Sequence, residues 1–277
     1  MAGSHSALTF LDRLAYAERR SGSCLCVGLD PDLARFPTDA RLPSDVEERI
    51  VAFNARIVEA THRHASAFKL NLAFYERFGA EGWRALERTV RAIPRDVLTI
   101  ADAKRGDIGN TARFYAEAFF ERLSFDACTL SPYMGLDSIE PFARYPDKAV
   151  FVLCRTSNAS ADDFQLHGQD RPLYLDVARR AVAWDNQLPG TVGLVVGATR
   201  SADLAAVRAA APETVFLVPG VGTQGADAAE TVRVGRGVAG CLLVNSSRSI
   251  LYASSGPDFA AAAESEARRL KEALAGL

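Results

Sequence analysis

The sequence predicts an α/β fold, a single (β/α)8 barrel of the TIM type with a parallel eight-stranded core, spanning residues 1–277 as one domain. Three observations lead there. Eight short apolar, β-rich runs recur along the chain, segments with helical spacing lie between them, and no linker, low-complexity tract or longer repeat breaks the rhythm. Strands covered by helices on the outside and packed on the inside read as near-continuous apolar runs, as these do.

The first run is SCLCVGLD (23–30), followed by helical spacing in DVEERIVAFNARIVEATHRH (45–64). AFKLN (67–71) is the second strand and AEGWRALERTVRAI (80–93) its helix. VLTIADAK (97–104) leads into ARFYAEAFFERL (112–123), and DACTLSP (126–132) and AVFVLC (149–154) are the fourth and fifth strands. The segment RTSNASADDFQLHGQDRP (155–172) is long, polar and interrupted by Gly168 and Pro172. It reads either as a lid over the barrel mouth or as an inert surface excursion. PLYLDVARRAVAWDNQL (172–188), TVGLVVGA (191–198), SADLAAVRAAA (201–211), TVFLVPG (214–220) and AGCLLVN (239–245) complete the alternation. An open doubly wound sheet uses the same alternation, but GLDPDLARF stands where its Gly-x-Gly-x-x-Gly turn belongs.

Bulk properties narrow the function. A net charge of −2 argues against a non-specific grip on nucleic acid polymers or anionic membrane. No stretch approaches the roughly 20 apolar residues of a membrane span. Asp12, Arg13, Glu18, Arg19 and Arg20 occupy the region where a signal peptide needs an apolar centre, so a cytoplasmic chain is expected. The five cysteines, an odd number, sit mostly inside apolar runs, as suits small buried hydrophobes in a reducing compartment. His5, His62, His64 and His167 form no ligand-like group, and His62 with His64 reads as a solvated helix end.

In barrels of this type the chemistry sits where strands end. The first strand ends in Asp30, the second carries Lys69 before Asn71, and the third ends in Asp102, Ala103 and Lys104. Side chains two apart on a strand share a face, so Asp102 and Lys104 are expected in the mouth with Ala103 turned away. Any one of these charges alone reads as a solvated loop residue; four on three consecutive strand ends point to one cavity. Asp107 has two readings, a site residue or, with Asn110 and Thr111, a cap for the following helix.

A second cluster follows the last two strands. PGVGTQGADAAE (219–230) is a glycine-rich turn entering a helix, and NSSRSILYA (245–253) is a small-residue loop with one arginine before a short helical stretch. Loops in these two positions form the usual phosphate seat of such barrels, where backbone N–H groups and a helix start meet an anion. Gln224 and Arg248 are the side chains expected on the phosphate. Gly220, Gly222 and Gly225 alone would serve turn geometry as well.

Taken together these residues resemble the orotidine 5′-monophosphate decarboxylase family, in its longer type 2 branch. The resemblance rests on Asp-x-Lys-x-x-Asp at Asp102, Lys104 and Asp107 with Thr111 four residues on, and on GLDPD, FKLN, PGVGTQGAD and SSRSI. It implies conversion of orotidine 5′-monophosphate to uridine 5′-monophosphate (UMP) and CO2, the last step of de novo UMP biosynthesis, by a carboxy-lyase that uses no cofactor or metal. It further implies Lys104 as proton donor flanked by Asp102 and Asp107, and Lys69 completing the charged array. Asp30 and Lys69 would bind the ribose, Ser157 the pyrimidine, and Gln224 and Arg248 the phosphate. The resemblance also implies a homodimer in which Asp107 and Thr111 enter the neighbouring site. Segments 31–66 and 155–172 depart from the shorter family members. Two alternatives share the scaffold or the ligand: a metal-dependent sugar-phosphate decarboxylase or synthase, and a barrel that binds a nucleotide without turning it over. A Schiff-base aldolase built on Lys104 is a third.

Overall fold

The structure, a computed structural model, describes residues 8–39, 41–168, 171–221, 227–237 and 241–275. Its eight strands are β1 (Leu25–Gly28), β2 (Ala67–Asn71), β3 (Leu98–Arg105), β4 (Ala127–Leu130), β5 (Ala149–Arg155), β6 (Thr191–Val196), β7 (Phe216–Pro219) and β8 (Leu242–Ser246). They form a closed barrel in sequence order, every pair parallel, with β8 returning to β1. The barrel expectation therefore holds, and the open sheet is excluded by the pairing of Leu25 with Val244.

The helices are α1 (Phe10–Ser21), α2 (Val46–Thr61), α3 (Ala73–Glu76), α4 (Gly79–Ala92), α5 (Gly109–Ala116), α6 (Glu140–Ala143), α7 (Asp162–Gln165), α8 (Leu173–Asp185), α9 (Ser201–Ala210), α10 (Ala228–Gly235), α11 (Arg248–Leu251) and α12 (Phe259–Ala275). The single helix read over residues 112–123 is two: α5 passes into a π-helical turn over Glu117–Arg122, which buries Phe119 and Phe120.

Helix α1 precedes the strand–helix alternation and α12 completes it after β8, and both close the fold. Helix α1 buries Phe10, Leu14 and Ala17, spaced four and three apart. Phe10 and Leu14 join the interior cluster of Cys26, Ala67, Ile100, Phe151 and Leu243, with Phe10 edge-on to Phe151 at 6.1 Å. The helix thus plugs the barrel at the end remote from the strand termini. Helix α12 lays Phe259 against Phe53 of α2, ring centroids 5.2 Å apart. His64 departs from the solvated expectation: its side chain is mostly buried, 3.8 Å from the Glu264 carboxylate of α12.

None of the five cysteines is in a disulfide, and Cys24, Cys26, Cys128 and Cys154 are buried as expected of small hydrophobes. Among the described residues no helix is long and apolar enough to cross a membrane.

Candidate active site

Strand register brings the expected charges to one end of the barrel. Gly28, Lys69 and Ile100 are level across β1, β2 and β3, and Asn71 is level with Asp102. Lys69 therefore starts two residues below Asp102, and its long side chain rises to place Nζ 2.8 Å from Asp102 Oδ2. On the other side, Lys104 Nζ lies 2.6 Å from Asp102 Oδ1. One carboxylate thus bridges two ammonium groups. Lys69 and Asp102 are enclosed, with side chains 6% and 11% exposed, whereas Lys104 at 49% opens to the mouth.

Asp102 and Lys104 do share a face, but not by the alternation of a regular strand. The β3–β4 ladder shifts register between Ala101 and Arg105. Ala101 pairs with Cys128 and Arg105 with Leu130, so three residues, 102 to 104, stand opposite Thr129 alone. Lys104 itself is left-handed, with φ 48°. A lysine there is strained by roughly 1 to 2 kcal/mol and persists because its surroundings hold it. The Lys104 N–H donates to Thr129 Oγ1 at 3.0 Å, and the Thr129 hydroxyl donates to Asp102 Oδ1 at 3.1 Å.

Burial opposes the charges of Asp102 and Lys69. It pushes the Asp102 carboxyl up more strongly than any single neighbour pulls it down, yet Lys69 and Lys104 together hold it well below the usual carboxylate range. The same holds in mirror image for Lys69: burial disfavours its ammonium, and the Asp102 and Asp30 carboxylates reverse the effect and raise it above an ordinary lysine. Both groups are therefore charged at neutral pH.

The ends of β1 and β8 meet beside this array. Asp30 Oδ1 accepts the Asn71 N–H at 3.2 Å. Tyr252, just past α11, donates its hydroxyl to the Asp30 carbonyl at 3.0 Å and accepts the Asp32 N–H at 2.8 Å. Gly28 permits the approach: a Cβ there would stand 1.8 Å from Ser247 Oγ, so only glycine lets the β8 loop close over β1. Ser246 Oγ donates to the Val221 carbonyl at 3.2 Å, tying the loops after β7 and β8 together. Arg248 opens α11, is exposed, and has no ion-pair or hydrogen-bond partner for its guanidinium among the described residues. Gln224, Gly222 and Gly225 lie outside the described residues.

The segment after β5 is anchored at its root. Arg155 is 2% exposed and reaches Asp203 of α9 at 2.7 Å, Asp162 of α7 at 2.8 Å and Gln165 at 3.3 Å. Gln165 in turn accepts the Thr156 N–H at 2.9 Å and donates to its hydroxyl at 2.7 Å. Ser157 follows directly, exposed on the same rim, with its backbone N 3.3 Å from where a Cβ at Gly197 would be.

Asp107 and Thr111 are not brought into this array. Asp107 accepts the N–H of its neighbour Ile108 at 2.8 Å, and Thr111 is exposed on α5. Among the described residues neither forms a hydrogen bond or ion pair with Lys69, Asp102 or Lys104. The helix-cap reading of Asp107 fails too, since Ile108 is the N-cap of α5 and no side chain caps it.

Comparison with known proteins shows the family of the chain. The family model described as orotidine 5′-phosphate decarboxylase / HUMPS matches residues 23–264. The chain belongs to that family. Orotidine 5′-phosphate decarboxylases of Roseiflexus castenholzii and Dehalococcoides mccartyi (strain 195) are 49% and 44% identical to it, each alignment covering 96% of this chain and 97% of the relative. Among solved structures, OMP decarboxylase of Leishmania donovani is 42% identical with TM-score 0.80, over 95% of this chain and 99% of that one. UMP synthase of the same organism is 44% identical with TM-score 0.84, over 97% of this chain, which spans 57% of the synthase.

Within this decarboxylase-family barrel, sequence reasoning missed Thr129, Asn71 as a backbone donor to Asp30, and Tyr252. Thr129 carried the clearest signal, as a hydroxyl late in the apolar run of DACTLSP. Its partners lie 25 and 27 positions away, so spacing alone could not name them.

Proposed function

We propose that this chain decarboxylates orotidine 5′-monophosphate to UMP and CO2, the last step of UMP synthesis, acting as one catalytic domain in the cytoplasm. The observation that carries this reading is the Lys69–Asp102–Lys104 array, set at the strand ends of a chain nearly half identical to named decarboxylases.

Cleavage of the C6–carboxylate bond leaves its electron pair in an sp2 orbital at C6 that the ring cannot delocalise as an enolate. CO2 departs, and the pair must be met by positive charge and then by a proton. Lys104 supplies both, as an ammonium fixed beside C6 and as the donor that completes the C6–H bond. Asp102 aims Lys104 and keeps Lys69 charged. Its negative charge also crowds the departing carboxylate, a secondary contribution. Asp30 and Lys69 hold the ribose hydroxyls, Ser157 the pyrimidine edge, and Arg248 with Gln224 the phosphate. Phosphate binding remote from C6 supplies energy for orienting the ring. No step calls for a metal or organic cofactor.

The test follows the ultraviolet absorbance of orotidine 5′-monophosphate with purified protein, with and without chelator. Conversion to UMP that chelator leaves unchanged is expected. Persistent substrate refutes the reading, and loss of turnover on chelation favours the metal-dependent sugar-phosphate alternative.

The functional unit is a homodimer in which Asp107 and Thr111 of one protomer complete the other's site. Support comes from the surface around them: Ile108, Phe114, Tyr133 and Met134 are exposed apolar side chains on the loops and helix after β3 and β4. A cavity of about 730 Å3 lined by Ile108, Asn110, Arg113, Glu140 and Tyr145 lies on the same side. Mixing inactive Lys104→Ala with inactive Asp107→Ala protein should restore about a quarter of the unaltered activity, because half the dimers then carry one intact site. No recovery after subunit exchange counts against a shared site.

A further inference from the structure

We propose that Thr129 is a positioning residue for the reaction, a side chain that fixes both the backbone of Lys104 and the carboxylate of Asp102. This rests on the decarboxylase reading above and adds a residue to it.

The irregular end of β3 poses a problem that Thr129 solves. Residues 102 to 104 face only Thr129 on β4, so the Lys104 N–H has no ladder carbonyl to meet. Thr129 is 1% exposed, which leaves little access for water to satisfy that N–H instead. Its hydroxyl oxygen accepts the N–H at 3.0 Å. A hydroxyl has one proton to give, and this one goes to Asp102 Oδ1 at 3.1 Å, the oxygen that also takes Lys104 Nζ at 2.6 Å. Asp102 Oδ2 is left for Lys69 at 2.8 Å. The hydroxyl therefore settles which carboxylate oxygen faces which lysine, and it holds Lys104 at φ 48°.

The other side of the bulge is secured independently. Arg105 donates to the Ala103 carbonyl at 3.1 Å and pairs with Glu76 of α3. The chain is thus gripped on both sides of Lys104, but only the Thr129 grip also touches the carboxylate. Removing the Thr129 hydroxyl frees the Lys104 peptide and the Asp102 rotamer together, while the loops that bear Arg248 and Ser157 belong to other strands. The consequence is a loss in the chemical step with ligand binding preserved.

Thr129→Val keeps the shape and deletes the hydroxyl; Thr129→Ser keeps the hydroxyl. The expected result is a fall in kcat of about 10 to 100-fold for the valine variant, with KM and the affinity for UMP within about threefold, and recovery to within about threefold in the serine variant. Equal losses in both variants, an unchanged kcat in the valine variant, or a parallel loss of UMP binding each overturn the proposal. Crystal structures of the unaltered and valine proteins test it without turnover: Lys104 should leave the left-handed region and its Nζ should part from Asp102. Retention of both features overturns the proposal even if the unaltered protein fails to convert orotidine 5′-monophosphate, a failure that would fall on the decarboxylase reading alone.

Discussion

Lys104→Ala should lower kcat for orotidine 5′-monophosphate by on the order of 10^5-fold, the combined loss of a positioned proton donor and of an electrostatic partner for developing charge. Nothing else in the array can substitute. Lys69 faces the opposite oxygen of Asp102 and is enclosed, its side chain 6% exposed, whereas the Lys104 side chain is 49% exposed at the mouth. The same exposure predicts that the fold survives: the ammonium removed is half in solvent, and the Lys69–Asp102 pair remains as counter-charge. Thermal unfolding of the variant should therefore stay within a few degrees of the unaltered protein. Its affinity for UMP should stay within about tenfold, because the side chains proposed to hold phosphate and ribose, Arg248, Asp30 and Lys69, lie on other elements. A variant that keeps a kcat within tenfold of the unaltered protein would show that Lys104 is not the donor.

Asp102→Asn has the second large effect, and it falls on stability as well as activity. The carboxylate is the shared counter-ion of two lysines, one of them buried, and an asparagine of the same shape leaves Lys69 with only Asp30 as opposite charge. Breaking a buried pair by removing one partner costs about 3 to 5 kcal/mol, more than the pair's net worth, because an uncompensated charge stays behind. Denaturant unfolding at pH 7 should report a loss in that range, and activity should fall by at least about 10^3-fold as Lys104 loses its anchor.

The pH dependence of this effect has a definite sign. Asp102 is held below its ordinary 3.8, so its contribution is present above that pH and disappears as pH falls through and beneath it. Lys69 is held above its ordinary 10.5, so its contribution is complete below that pH and disappears as pH rises past it. The unaltered protein should hold the pair's stabilisation across the whole interval between. In Asp102→Asn the burial of Lys69 is no longer offset by its nearest carboxylate, and stability should rise as pH is raised through the alkaline range where that lysine loses its proton. A stability curve of Asp102→Asn parallel to that of the unaltered protein from pH 5 to 10 would contradict this account.

Much of the barrel was legible in the chain because its cause is local. A strand packed on both faces must be apolar throughout, and a helix that covers it must be apolar every three or four residues. Those patterns are written in AFKLN, AVFVLC and TVGLVVGA without reference to the rest of the molecule, and AFKLN forms the strand Ala67–Asn71 at the bounds read from it. The convergence of Lys69, Asp102 and Lys104 was legible for a related reason: in a closed parallel barrel every strand end faces the same mouth, so charges at those ends have one place to go. The plug formed by α1 was not, because a helix outside the alternation reveals its partner only once a barrel end exists for Phe10 to fill.

What only the tertiary structure decided is how those charges are held. Alternation along a strand predicts that residues 102 and 104 share a face, but it predicts neither the three-against-one bulge nor a left-handed lysine, because both depend on what β4 offers across the gap. Thr129 meets its partners across strands, Tyr252 joins two loops more than 200 residues apart in sequence, and Arg155 at the end of β5 finds Asp203 on α9. Periodicity and propensity act over a turn or a pleat, and so the sequence by itself determined the barrel and its charged rim. Hydrogen-bond direction, carboxylate rotation and backbone strain are settled by atoms that become neighbours only after the barrel closes, and so the geometry of the site belongs to the fold.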